Sequence, residues 1–215
     1  MNKTLVAFGD SCTYGHGLKD CIAPDGVNPG KSPSEMAWPT ELAYNFAPTN
    51  SEEIPYANLG IPGASNKEIW NKIMNTKLDH NNIVVIGWSL YNRTCVINKH
   101  GVDQIGIWQD TKPAKSYFKH LYDDYDMHND FYLRANHIKQ YLDQKEIENY
   151  HWRLETTMSE QVPKWNEVRF IDFDYYNLKN KYPLAQDNLH PGEEAHKKIA
   201  ESLFQHIKGT RSSVG

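Results

Sequence analysis

The chain is predicted to fold as an α/β three-layer sandwich, with a central parallel sheet of about five strands covered by helices on both faces. Three observations carry this. Short apolar runs recur along the chain, as at Thr4 to Phe8 and Ile83 to Gly87. Segments with apolar residues at helical spacing fall between them, and strand alternating with helix is the signature of a parallel sheet. No apolar run approaches the ~20 residues that a membrane-crossing helix needs.

Taken in order, Thr4 to Phe8 reads as a buried strand that Gly9 ends, leaving Ser11 at a strand's carboxyl end. Residues 15 to 34 are rich in proline and glycine and read as an irregular loop bordering that end. In AWPTELAYNF, Pro39 suits a first helical turn, and Leu42, Ala43 and Phe46 share one face. Ile54 to Gly60 is the expected second strand. The following SNKE, residues 65 to 68, is a capping-box pattern opening a helix with Ile69, Trp70 and Ile73 inward.

Ile83 to Gly87 is the third and most apolar strand, and the stretch from there to about Pro113 reads as irregular. Ala114, Tyr117, Phe118, Leu121 and Tyr122 recur at helical spacing, as do Phe131, Ala135, Ile138 and Leu142, which predicts two helices or one broken near Asn129. Tyr150, Trp152 and Leu154 alternate as a fourth strand, and Val168 to Phe173 is a fifth. A final helix starts after Pro191 with Ala195, Ile199, Leu203 and Ile207 on one stripe. One domain is expected over residues 1 to 208, followed by a frayed tail from Gly209 to Gly215.

Composition narrows the function classes. Lys and Arg number 23 against 27 Asp and Glu, so no basic excess exists to neutralise phosphates, and nucleic acid is not an expected partner. A mean hydropathy of -0.72 suits a soluble chain. Lys3 is followed by only four apolar residues before Gly9, too few for a secretory core. A cytoplasmic location is therefore expected, although a chain trimmed of a leader would read the same. Cys12, Cys21 and Cys95 are odd in number and lack a CxxC, which favours free thiols over a bridge such as Cys12 to Cys21. Oligomeric state is left open by the sequence.

The chemistry concentrates at the two ends. FGDSCTYG, residues 8 to 15, offers Ser11 in a turn after a strand, and DNLHPG, residues 187 to 192, offers Asp187 and His190 three residues apart. A serine hydroxyl is a poor nucleophile until a histidine takes its proton, and that histidine needs a carboxylate to fix its tautomer and stabilise the imidazolium. Competing readings are weaker. His190 and His196 come without HExxH or CxxC, so no zinc site is assigned, and His196 is read as a helix-surface residue. The acidic cluster Asp123, Asp124, Asp126 and Asp130 lacks the glycine and terminal glutamate of a calcium loop and reads as a solvated bend. Cys12 reads as a packing thiol, and glycines 9, 15 and 17 lack the spacing of a dinucleotide fingerprint.

Four blocks in order, GDS near the start, NLGIPGAS, IGWS, and DNLH near the end, together with the Trp38-Pro39 pair, resemble the SGNH or GDSL-type hydrolase family over most of the chain. The resemblance implies a flavodoxin-like sandwich and a covalent acyl-serine mechanism on an ester, with Ser11 as nucleophile, His190 as base then acid, and Asp187 orienting His190. It also implies an oxyanion hole from the N–H groups of Ser11 and Gly63, with Gly60 the alternative needed only for the turn. The third block departs from the family's GxN: Ser89 stands where an asparagine donor is expected, with Asn92 three residues on as the other candidate.

No cofactor and no metal are implied. The expected substrate is a small-molecule or carbohydrate ester, with an O-acetyl sugar as one form and Trp88 as the aromatic surface nearest the third block. Acyl transfer to an alcohol by the same triad, and a glycan-binding module that kept the fold without the chemistry, are the other readings.

Overall fold

The computed structural model describes residues 3–47, 54–155 and 162–212. Five strands form one all-parallel sheet in the order β2-β1-β3-β6-β7, made of Thr4–Phe8 (β1), Tyr56–Asn58 (β2), Asn82–Trp88 (β3), Glu148–Arg153 (β6) and Phe170–Ile171 (β7). Their apolar residues alternate between two cores, as the period of a strand dictates. Val6, Phe8, Val84, Ile86 and Trp88 join one core, which helices α3 (Asn66–Met74) and α5 (Asp124–Gln144) close with Ile69, Ile73, Phe131 and Ile138. Leu5, Ala7, Ile83 and Val85 join the other, closed by α2 (Trp38–Phe46) and α7 (Glu193–Ser212) with Trp38, Leu42, Ile199 and Leu203. This is the expected sandwich.

Several local expectations shift. The second and fifth strands are shorter than their apolar runs, three and two residues long. The capping box is half made: Ser65 Oγ accepts from the Glu68 N–H, but the Glu68 carboxylate accepts from Gln104 Nε2 at 2.9 Å. Two separate helices occupy 112 to 144, α4 (Lys112–His120) and α5, and the break falls at Leu121 to Asp123, where Asp123 caps α5, rather than at Asn129. Leu121 lies past the end of α4 and is exposed. No frayed tail begins at Gly209: α7 runs on to Ser212, and Arg211 Nε donates to Glu148 Oε1 at 2.6 Å, tying the last turn to β6. Residues 213 to 215 of that expected tail lie outside the described residues.

The largest departure is in the stretch expected to be irregular. Arg93–Asn98 (β4) and Gly101–Gly106 (β5) form an antiparallel hairpin with a two-residue loop at Lys99 and His100. It packs on α3, where Gln104 Nε2 reaches the Pro62 carbonyl at 3.1 Å as well as Glu68. Thereby a separate element is set over the carboxyl ends of β1 and β2. Among the described residues no helix is long and apolar enough to cross a membrane.

Candidate active site

At the carboxyl end of β1 the chain turns into a single helical turn, α1 (Ser11–Tyr14), whose N-cap Asp10 accepts from the Cys12 N–H through Oδ1 at 3.0 Å. Ser11 is the first residue of that turn. Its backbone N–H has no intrahelical acceptor, as expected at a helix start, and finds none elsewhere among the described residues. At the far end of the chain, Asp187 Oδ1 accepts from the N–H groups of Leu189 and His190, folding 187 to 190 into a tight turn. Gly17 backs this turn: at φ +88 it has no side chain, and an added Cβ would lie 2.6 Å from the Asp187 carboxyl carbon.

These two turns meet. His190 Nε2 lies 2.9 Å from Ser11 Oγ and His190 Nδ1 lies 2.5 Å from Asp187 Oδ2, although Ser11 and His190 are 179 residues apart in sequence. Burial alone would push the Asp187 carboxyl up, but the two backbone N–H groups and the His190 ring hold it below its ordinary range. An ionised Asp187 fixes the proton on Nδ1, which leaves Nε2 to accept from Ser11. Burial pulls His190 itself below the ordinary imidazole range, with the hydrogen bond and charge of Asp187 pulling the other way and His16 adding to the depression. The arrangement can move a proton from Ser11 to a base that is neutral under ordinary conditions.

A cavity of about 450 Å³ opens in front of Ser11 and His190 and is lined also by His16, Gly63, Arg93, Gln104 and Trp108. Gly63 adopts φ +77, and its N–H has no acceptor among the described residues. Gly60 differs, since its N–H donates to Asn58 Oδ1 at 3.0 Å. The irregular loop contributes His16, Val27 and Asn28 to the lining, as its position predicted. His16, Asp187 and His190 bring three potential metal-ligand atoms within 4.8 Å of one another, but the hydrogen-bond chain to Ser11 already engages two of those residues.

The third block is built otherwise than the sequence suggests. Ser89 is 1% exposed, and its Oγ donates to Asp10 Oδ2 at 2.8 Å, so its single proton is turned away from the cavity. Asn66 clamps its backbone, accepting from the Ser89 N–H and donating to the Ser89 carbonyl. Asn92 is not among the cavity-lining residues. Trp88 is wholly buried, its ring against Phe131 and its Nε1–H donated to His151 Nδ1, so it is a core residue with no face for a sugar. A strand buried on both sides places every side chain in one core or the other, which sequence proximity to the loop cannot reveal. His196 is likewise buried, not on a helix surface; its Nδ1 accepts from the Trp38 N–H at 3.1 Å. Cys12, Cys21 and Cys95 are free and buried, and burial, with Asp10 adding to it, pushes the Cys12 thiol far up, leaving it inert.

Two functional candidates escape the sequence reading, Arg93 at the start of the hairpin and Trp108 in the turn just beyond its end. The signal present was β-branched residues at Thr94, Val96, Ile97, Val102 and Ile105 on either side of an Asn98–Gly101 pair. The loop between them holds no Asn-Gly or Gly-Gly, the usual mark of such a turn.

With a family model that spans most of the chain, the protein is an ester hydrolase, and its candidate site lies at the carboxyl edge of a parallel sheet. The chain belongs to the GDSL-like Lipase/Acylhydrolase family, whose model matches residues 5–203. Solved structures share the fold. A lipase/acylhydrolase from Enterococcus faecalis is similar at 14% identity with a TM-score of 0.52, covering 97% of this chain and 96% of that one. A single-substitution variant of the acetyl xylan esterase Axe2 from Geobacillus stearothermophilus is similar at 18% identity and a TM-score of 0.53, covering 95% and 94%. A putative lipolytic protein of the G-D-S-L family from Desulfitobacterium hafniense matches at 14% identity and 0.51, covering 95% and 99%. No curated protein matches the sequence.

Proposed function

We propose that the protein hydrolyses a short acyl ester, an O-acetyl group on a carbohydrate, through an acyl-serine intermediate. The observation that carries the reading is the continuous chain from Ser11 Oγ through His190 to Asp187, at 2.9 and 2.5 Å. In the first half-reaction Ser11 Oγ bonds to the acyl carbon as its proton passes to His190 Nε2 and the carbonyl electron pair moves onto oxygen. The free N–H groups of Ser11 and Gly63 receive that oxyanion. Collapse breaks the bond to the alcohol, which leaves with the proton from His190. Water then repeats the sequence on the acyl-serine, giving the acid and the free enzyme.

The carbohydrate reading rests on Trp108, which lines the cavity and is 53% exposed, whereas Trp88 is buried. Its ring packs over Gly106, where an added Cβ would lie 2.2 Å from it, and one face meets Arg93 with the guanidinium carbon 4.9 Å from the ring centre. A fixed, half-exposed indole beside a nucleophile is a suitable wall for a sugar ring. The family membership and the acetyl xylan esterase among the structural relatives agree with it.

The test is acetate release from acetylated xylo-oligosaccharides and hydrolysis of p-nitrophenyl acetate, with intact-mass detection of an acetylated Ser11. Ser11→Ala is expected to abolish both activities and the adduct while the fold persists. Comparable turnover in Ser11→Ala would overturn the triad; ester hydrolysis without release from the sugar would overturn the substrate class.

A further inference from the structure

The oxyanion in this reading has two backbone donors, and most side-chain donors around the cavity are already engaged. Gln104 Nε2 is engaged by Pro62 and Glu68, and Asn28 Nδ2 donates to Asp25 Oδ2. His16 Nε2 lies on the Val27 carbonyl, both nitrogens of His190 are in the triad, and Ser89 Oγ–H is held by Asp10. What remains is the second N–H of Asn28 Nδ2, the indole N–H of half-exposed Trp108 and the guanidinium of Arg93, of which Arg93 alone carries a positive charge. Arg93 is anchored through Nη1 alone, to Asp10 Oδ2 at 2.9 Å and Ser89 Oγ at 3.0 Å. Its Nε is buried with no acceptor among the described residues, and Nη2 has none either. Arg93 lines the cavity with Ser11 and His190, and lines with the same two residues a second cavity of about 180 Å³ on the other side.

We infer that Arg93 is the third oxyanion donor, a charged one, supplied by the β4–β5 hairpin in place of a donor from the strand end. This rests on the acyl-serine reading above. The buried Asp10 carboxylate holds Nη1 and balances the cation in the resting enzyme, and the short Ser89 side chain leaves room for the guanidinium beside it. Negative charge developing on the acyl oxygen then meets a donor that is already oriented, so the bond strengthens in the transition state more than in the ground state.

The experiment compares Arg93→Lys, Arg93→Gln and the double variant Asp10→Asn/Arg93→Gln on p-nitrophenyl acetate and on the anionic mono-p-nitrophenyl succinate, with Tm measured for each. Arg93→Gln is expected to lower kcat by ~10² to 10³ on both esters with KM nearly unchanged, the loss typical of one oxyanion donor. Arg93→Lys should fall between. Removing one partner of a buried ion pair also destabilises, so the double variant, which removes both charges, should recover Tm without recovering kcat. Recovery of both would make Arg93 only a structural partner of Asp10 and overturn the inference. So would a rise in KM confined to the anionic ester, which would make it a clamp for a substrate carboxylate. Ser11-independent turnover would instead overturn the underlying reading, and Ser11→Ala in the same assay tells the cases apart.

Discussion

The ring of His16 lies against that of His190, with centroids 4.5 Å apart and planes inclined by 34°. Two imidazoles so close disfavour a second positive charge, and His16 accordingly adds to the depression that burial imposes on His190. The rising limb of kcat/KM with pH, which reports the base in the free enzyme, is expected below the ordinary histidine value of ~6.5. His16→Asn should move that limb to higher pH. A limb that stays put would remove His16 from the electrostatics of the base.

Asp187→Asn should move the limb the other way. Asp187 raises the His190 value against burial, so its neutral isostere leaves burial unopposed and the limb falls to lower pH. The plateau should drop as well, by up to ~10⁴, because the tautomer is no longer fixed. An upward shift would contradict the pairing of Asp187 Oδ2 with His190 Nδ1.

Ser89 and Asn92 are expected to matter little to the chemical step. Ser89→Ala removes two buried hydrogen bonds, one donated to Asp10 and one accepted from Arg93, and should cost about 2–4 kcal/mol of stability, with kcat falling less than about tenfold through a loosened Arg93. Asn92→Ala should leave both nearly unchanged. A hundredfold loss of kcat in Ser89→Ala at unchanged Tm would return Ser89 to the oxyanion hole.

Trp108→Ala should raise KM for an acetylated xylo-oligosaccharide while leaving p-nitrophenyl acetate, which has no sugar to stack, within a few-fold of the parent. Equal changes on both substrates would mean that the indole serves Arg93 and not the sugar.

Acid should unfold the protein early, and two histidines account for part of it. Burial pushes His151 and His196 down to about 3 from 6.5. Above 6.5 both are neutral whether folded or not; as pH falls, the unfolded chain binds protons that the folded one refuses, and stability is lost between 6.5 and about 3. At pH 5 the loss is on the order of 2 kcal/mol for each. His196→Asn keeps an acceptor for the Trp38 N–H but does not titrate, so its Tm should fall less steeply between about pH 7 and pH 5. An unchanged slope would show that His196 takes its proton in the folded state.

What the sequence made legible follows from range. Ser11, Asp187 and His190 were readable because short turns at element ends carry them, and local pattern identifies such turns. The sheet was readable because β1 and β3 are continuous apolar runs. Trp88 was misplaced because the residue ending a buried strand looks the same whether it faces a core or a cleft. Arg93 was missed because its meaning lies in a partner, Asp10, 83 residues away, and in a hairpin whose turn lacks the usual glycine or asparagine pair. His196 was misjudged for a similar reason: an amphipathic stripe marks a helix's apolar face, and a polar residue taken into that face to receive a neighbour's N–H has no local mark.

The β4–β5 hairpin turns the cleft into a composite of two separately built parts. Ser11 at the end of β1 and the Asp187–His190 turn before α7 carry the proposed proton-transfer apparatus, which would be the same whatever ester is cut. Arg93, Gln104 and Trp108 travel together on or beside the hairpin, so one exchange of that small element would replace a charge, a tether and an aromatic wall at once. Divergence among such enzymes then needs no change in the frame behind it: rate and preference become properties of an accessory that the frame only has to hold.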